Sequence, residues 1–130
     1  MTPLTLSLLP DTFTIHRLSP RSPLPENLYR SIFFSLTQSA DELSVVCKST
    51  IKIASRKQED GWSCLRVEGV LDFGLTGILA DLSGILADAG ISIFAVSTYD
   101  TDYLLVKTET LTNAVAALHD AGHTVQNKHA

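Results

Sequence analysis

Apolar and polar positions in the C-terminal half of the chain repeat with two periods, and the changes of period mark out its elements. In "CLRVEGVL", Leu65 and Val67 stand opposite Arg66 and Glu68 before the run turns apolar, which predicts a strand. "LTGILADLSGILADAG" then takes helical spacing. Ile78, Leu79, Leu82, Ile85, Leu86 and Ala89 share one face, with Asp81 and Asp88 opposite, and Gly90 is expected to end the helix as a left-handed cap. "ISIFAVST" is β-branched and almost wholly apolar, as a central strand would be. "YDTD" predicts a turn and "YLLVK" a third strand. "ETLTNAVAALHDAG" predicts a second helix with Leu111, Ala114, Val115 and Leu118 inward and Gly122 as its stop, before a short last strand at "HTVQ". The order β-α-β-β-α-β predicts an α+β, ferredoxin-like fold in which two helices cover one face of a four-stranded antiparallel sheet.

The N-terminal half is less regular. "LTLSLL" and "FTIHRL", split by Pro10-Asp11, predict a hairpin. Pro20, Pro23 and Pro25 mark a loop, with Pro25 able to open a short helix through "ENLYRS". "IFFSLT" and "LSVVCK" predict two strands around the turn "QSADE", and "SRKQEDG" reads as a solvated linker. The expected organisation is a small N-terminal unit over residues 1–60 and a C-terminal domain over 61–130. The first repeats the strand content of the second without a long helix.

Composition narrows the classes. A chain of 130 residues, 45% apolar, suits one ordinary domain or two very small ones, and disorder throughout is excluded. A formal net charge of −4, with Arg56-Lys57 the only paired cations, argues against nucleic acid or an anionic membrane as partner. Apolar runs fall far short of the ~20 residues that span a bilayer. The opening "MTPLTLSLLPD" lacks the basic segment of a signal peptide and is broken at Pro10-Asp11, so no leader is expected. Cys47 and Cys64 sit in strand-like runs without metal-ligand spacing, which suits free thiols in a reduced, cytoplasmic protein.

Two stretches carry candidate chemistry. The loop Asp72-Phe73-Gly74-Leu75-Thr76-Gly77 precedes a helix whose first N–H groups and dipole suit a carboxylate, and its glycines permit close approach to the backbone. The same residues also serve as a plain strand-to-helix turn, and on residues alone that reading weighs more. In "STYDTD", Asp100 and Asp102 form an Asp-x-Asp pair. No third carboxylate, Asn or neighbouring His accompanies it for a metal, and no nucleophile for catalysis, so neither metal nor cofactor is expected. Asp100 is expected to serve the turn, and Asp102, opening the next strand, is the better ligand candidate. His119 and His123 flank the end of the second helix, where a cation complements the dipole. Cys64 reads as a small buried hydrophobe, Trp62 and Phe94 as core or interface anchors.

The run "GLTGILADLSGILADAGISIFAVSTYDTDYLLVK" resembles the ACT domain, and more narrowly the small two-module proteins related to the CASTOR-type cytosolic arginine sensors. The residues that carry it are Gly74-Leu75-Thr76-Gly77, "ADAGISI" and "STYDTD"; "FFSLTQSADELSVVC" resembles the first unit of those proteins. Thr76 stands where ACT domains usually have a proline beside the loop glycine, a departure that the sensor-like branch shares. The resemblance implies a non-enzymatic regulatory module that binds an amino acid and pairs side by side in a homodimer. In the ferredoxin-like order the first helix start and the turn at "YDTD" are expected at opposite ends of a module. They could then share a site only across a contact between units or if the loop folds back. The resemblance implies the former, a ligand held between ACT units and touching Asp72 to Gly77 on one side and Ser97, Thr98 and Asp102 on the other. Surplus aspartates rank arginine or lysine above neutral ligands, and neutral above acidic ones. The alternative is a structural or protein-interaction module that binds nothing small. An enzyme ranks last, because no base and nucleophile converge.

Overall fold

In the computed structural model residues 3–69 and 77–127 are described. The elements run β1 (Thr5–Leu18), a 3-10 helix (Glu26–Arg30), β2 (Ser35–Gln38), β3 (Leu43–Lys48), β4 (Lys57–Val67), α1 (Ile78–Asp88), β5 (Ile93–Ser97), β6 (Asp102–Lys107), α2 (Leu111–Asp120) and β7 (Thr124–Asn127). A 3-10 turn, Thr108–Thr110, leads into α2. The order from β4 onward is β-α-β-β-α-β, as the periodicity predicts, and the fold is ferredoxin-like.

The chain forms two compact units. One holds residues 1–10 and 63–130, the other residues 11–62, so β1 and β4 each contribute to both. In the first unit the strand order is β7-β1-β4-β6-β5. Its core gathers Leu6, Leu65, Val67, Leu82, Leu86, Leu104, Val106, Ala114 and Leu118, all fully buried. Each Leu side chain so buried stabilises the fold by about 1.5–3 kcal/mol. Both helices end on a left-handed glycine: Gly90 has φ 75° and Gly122 φ 96°. The N–H of Ile91 reaches back to the carbonyl of Leu86 (2.9 Å) and that of His123 to Leu118 (2.9 Å).

Three expectations need correction. The stretch around Pro10-Asp11 is not a hairpin but one strand of 14 residues. Thr5–Leu8 pair parallel with Thr124–Asn127 of β7, and Phe13–Leu18 pair antiparallel with β3. Pro10 falls between the two registers, where its missing N–H costs no ladder bond. β5 is not central: it ends the strand order, paired with β6, and Ala95 and Ser97 are exposed. The linker expected at "SRKQEDG" is strand from Lys57 onward; Ser55 bonds to His16, Asp60 to Thr14, and Gln58 accepts from Ser55.

The 11–62 unit carries β2, β3 and the adjoining parts of β1 and β4 in the order β2-β3-β1-β4. Leu28, Leu43, Val45, Cys47 and Ile51 make its core. Thr14 and His16 lie directly opposite Cys47 and Val45 in the β1–β3 register. Residues opposite one another in an antiparallel pair share a face, so two polar side chains of β1 stand on the core side of the sheet.

Candidate functional site

Of the residues expected to hold a ligand, Asp72, Phe73, Gly74, Leu75 and Thr76 lie outside the described residues. Gly77 is the N-cap of α1, with φ 83° and no side chain to offer the first turn. That conformation is open to glycine and strained for any β-branched residue.

Ser97, Thr98 and Asp102 surround the β5–β6 turn. The turn is closed by threonines: the Thr98 N–H and hydroxyl both donate to the Thr101 carbonyl (2.8 and 2.9 Å), and the Thr101 N–H donates to Thr98 Oγ1 (3.2 Å). Asp100, expected to serve the turn, is exposed within it. Ser97 and Asp102 face one another in the register, and the Ser97 hydroxyl donates to Asp102 Oδ1 at 2.6 Å. A carboxylate accepts at about four lone-pair positions, so Asp102 is oriented by this bond without being used up.

The turn's place in the unit overturns another expectation. Thr101, 3% exposed, donates its hydroxyl to the Val67 carbonyl at 2.7 Å. Val67 ends β4, from which the chain departs toward α1. The turn and the departure thus lie at one end of the unit, not at opposite ends. The reason is the β-α-β crossover: it brings the strand after the helix back parallel to the one before it, so the hairpin that follows returns to the end where the helix began. Further contacts meet at that end. The Glu68 N–H donates to the Thr5 carbonyl (2.8 Å) and the Leu4 N–H to His123 Nδ1 (3.0 Å), while His123 Nε2 lies 3.5 Å from Asp81 in the first turn of α1. His119 Nε2 accepts the Val125 N–H (3.3 Å). Both histidines thus tie the start of β1 and β7 to the end of α2.

Cys47 and Cys64 are free and fully buried. Burial pushes their thiols from 9.0 to about 11 and about 12, so neither is a nucleophile at neutral pH. Among the described residues no group of three or more His, Cys, Asp or Glu side chains is placed to hold a metal ion. No described helix is long and apolar enough to cross a membrane.

Sequence reasoning missed a polar cluster in the 11–62 unit. The Thr14 hydroxyl donates to Asp60 Oδ1 (2.9 Å) and therefore accepts from Ser49 (2.9 Å). The Ser55 hydroxyl donates to Gln58 Oε1 (3.3 Å), which leaves Nδ1 of His16 as the donor to Ser55 Oγ at 2.7 Å. His16 is 3% exposed, and its Nε2 has no partner. Burial lowers its pKa below the ordinary 6.5, with Asp60 pulling the other way. A histidine in an alternating strand reads the same whether it faces solvent or core, so nothing in the sequence marked it.

A family model described as ACT domain matches residues 57–120, and one described as an N-terminal domain matches residues 11–53. Among curated proteins no match was found. Among solved structures, a protein from Agobacterium tumefaciens is 34% identical over 100% of this chain and 97% of that one, with a TM-score of 0.90. A Vibrio cholerae protein of unknown function, described as a possible transport protein, is 19% identical, covering 90% of this chain and 88% of its own, with a TM-score of 0.68. The regulatory subunit of aspartate kinase from Thermus thermophilus is 13% identical over 93% of this chain and 98% of its own, with a TM-score of 0.62. At those identities the last two establish the fold alone.

Proposed function

We propose, for a chain that belongs to the ACT-domain family and is related over its whole length to the Agobacterium protein, that it is a non-enzymatic regulatory module that binds an amino acid. The observation that carries the reading is the Thr101–Val67 hydrogen bond. It places Ser97, Thr98 and Asp102 at the end of the unit from which the chain runs into the helix-start loop. The N–H groups of that start take the ligand carboxylate, and Asp102, steered by Ser97, takes a cationic group. A second ACT unit, from another copy of the chain, closes over the ligand. The buried free thiols suit a reducing, cytoplasmic setting.

Pairing follows from the edge. β5 ends the strand order with Ile93, Phe94 and Val96 half-buried, and an apolar strand in that position gains from a neighbour. Light scattering at micromolar concentration should give twice the 14.1 kDa chain mass. The mass of a single chain would remove the homodimer from this reading.

The ligand test is a thermal-shift screen of the common amino acids. Arginine or lysine should raise Tm most, because a basic side chain pairs with the spare carboxylate while an acidic one meets like charge. Asp102→Asn keeps an acceptor for Ser97 and removes the charge. It should cut the shift from a basic ligand more than that from a neutral one. Equal losses would give Asp102 to the α-amino group or to the turn; a shift from glutamate or aspartate alone would overturn the ranking.

A further inference from the structure

Two neighbouring cavities in the 11–62 unit, of about 360 and 370 Å³, are both lined by His16 and Gln58. Volumes of this size admit a small metabolite. Four of the chain's ten Lys and Arg residues line them: Arg17, Arg56 and Lys57 on one side, Lys52 on the other. The chain as a whole is negative, so this concentration is local. Arg17 donates to the carbonyl of Asp41 (3.1 Å), and among the described residues Lys52, Arg56 and Lys57 make no ion pair. Glu59 and Asp60 line the cavities as well, so four cations face two carboxylates, and an anion among them relieves the repulsion of the surplus positive charge. The second observation is independent of the cations. His16, buried against the same cavities, has its Nδ1 engaged by Ser55 and its Nε2 without a partner.

We propose that these cavities bind a small anion of carboxylate or phosphate chemistry, held by Arg17, Arg56 and Lys57, with His16 taking up a proton from solvent on Nε2 as the anion arrives. The charged groups around His16 are Arg17 on its own strand, Lys57, Glu59 and Asp60 on β4, and Lys52 and Arg56 in the segment before it. Asp60 favours the imidazolium. The four cations oppose it until the anion offsets them, so binding and protonation reinforce each other. The site lies in the unit that does not hold the amino-acid site proposed above, and the two stand or fall separately.

Isothermal titration calorimetry of the full chain with inorganic phosphate, and separately with succinate, tests this and tells the two chemistries apart. At least one anion should bind about tenfold more tightly near pH ~6 than near pH ~8, across the range in which histidine titrates. Repeating the titration in buffers of different ionisation heat should show about one proton taken up. Arg56→Ala with Lys57→Ala should weaken binding at least about tenfold, the loss expected when close charge partners go. His16→Gln should abolish the pH dependence, and if that variant fails to fold, proton uptake by the unaltered chain decides the same point. Gly77→Val should bind the anion normally. Neither anion binding at millimolar concentration, or the double variant binding as before, or Arg30→Ala weakening binding as much as the double variant, would overturn the site. A pH dependence that survives in His16→Gln would remove His16 from it.

Discussion

Denaturant titrations at rising pH should show the folded state weakening steeply above pH 9.0, the ordinary thiol value, because both cysteines ionise more readily in the unfolded chain. Burial raises Cys47 to about 11 and Cys64 to about 12. Between those limits the unfolded thiols are charged while the folded ones stay neutral, so the unfolded state gains stability with pH. The contribution is fully present below pH 9.0 and is lost as pH rises through the folded values. A tenfold change in an ionisation constant corresponds to about 1.4 kcal/mol, so Cys64 alone accounts for a loss on the order of 4 kcal/mol and Cys47 for somewhat less. Set against a total of about 5–15 kcal/mol for a typical domain, this is enough to unfold a marginal one. Cys64→Ala removes the ionisable group. It should lower stability modestly at neutral pH and flatten the alkaline decline, since tyrosines and lysines titrate alike in both proteins. Equal alkaline slopes for the two would mean that Cys64 is not the source.

Gly77→Val should abolish the ligand-induced rise in Tm while leaving the circular dichroism of the fold in place. A Cβ built on Gly77 meets nothing within 4 Å among the described residues, so the substitution crowds none of them. What it does is force a β-branched residue to φ 83° at the start of α1 and fill the space before the helix. The left-handed conformation costs about 1–2 kcal/mol for a residue with a side chain. A ligand at a hundred times its Kd returns roughly 2.7 kcal/mol, several degrees of Tm for a chain of this size. Gly77→Ala separates the two effects, because it carries the strain with little of the volume. It should start from a lowered Tm and keep part of the ligand shift. A full shift in Gly77→Val would make the glycine a turn former and place the ligand elsewhere.

The C-terminal elements were legible because their information is local. The helical spacing of Leu82 and Leu86, the alternation of Leu65 and Val67, and the glycines at 90 and 122 each act within a few residues, and all lie where the periods predict. Part of the candidate site was legible for the same reason: Ser97, Thr98 and Asp102 advertise a polar turn, and they form one. That this turn stands beside the end of β4 was not legible. It depends on the path of the crossover, and a periodic pattern shows which face of an element is buried but not which element lies next to it. The same limit explains the hairpin expected at Pro10. Leu4, Leu6 and Leu8 declare a strand, yet only the folded chain could show residues 5–8 paired with 124–127, a partnership across nearly the whole sequence. It also explains the linker expected at "SRKQEDG". Charge there suggests solvent until Thr14, from a distant strand, supplies the hydroxyl that Asp60 accepts. Sequence by itself therefore determined the elements of the C-terminal unit and their order, through periods and caps that act over a turn or two. Which strands became neighbours, which edge stayed at the end of the sheet, and that His16 faces the core were decided by long-range pairing, where the cost of closing the chain is set against contacts that no local stretch contains.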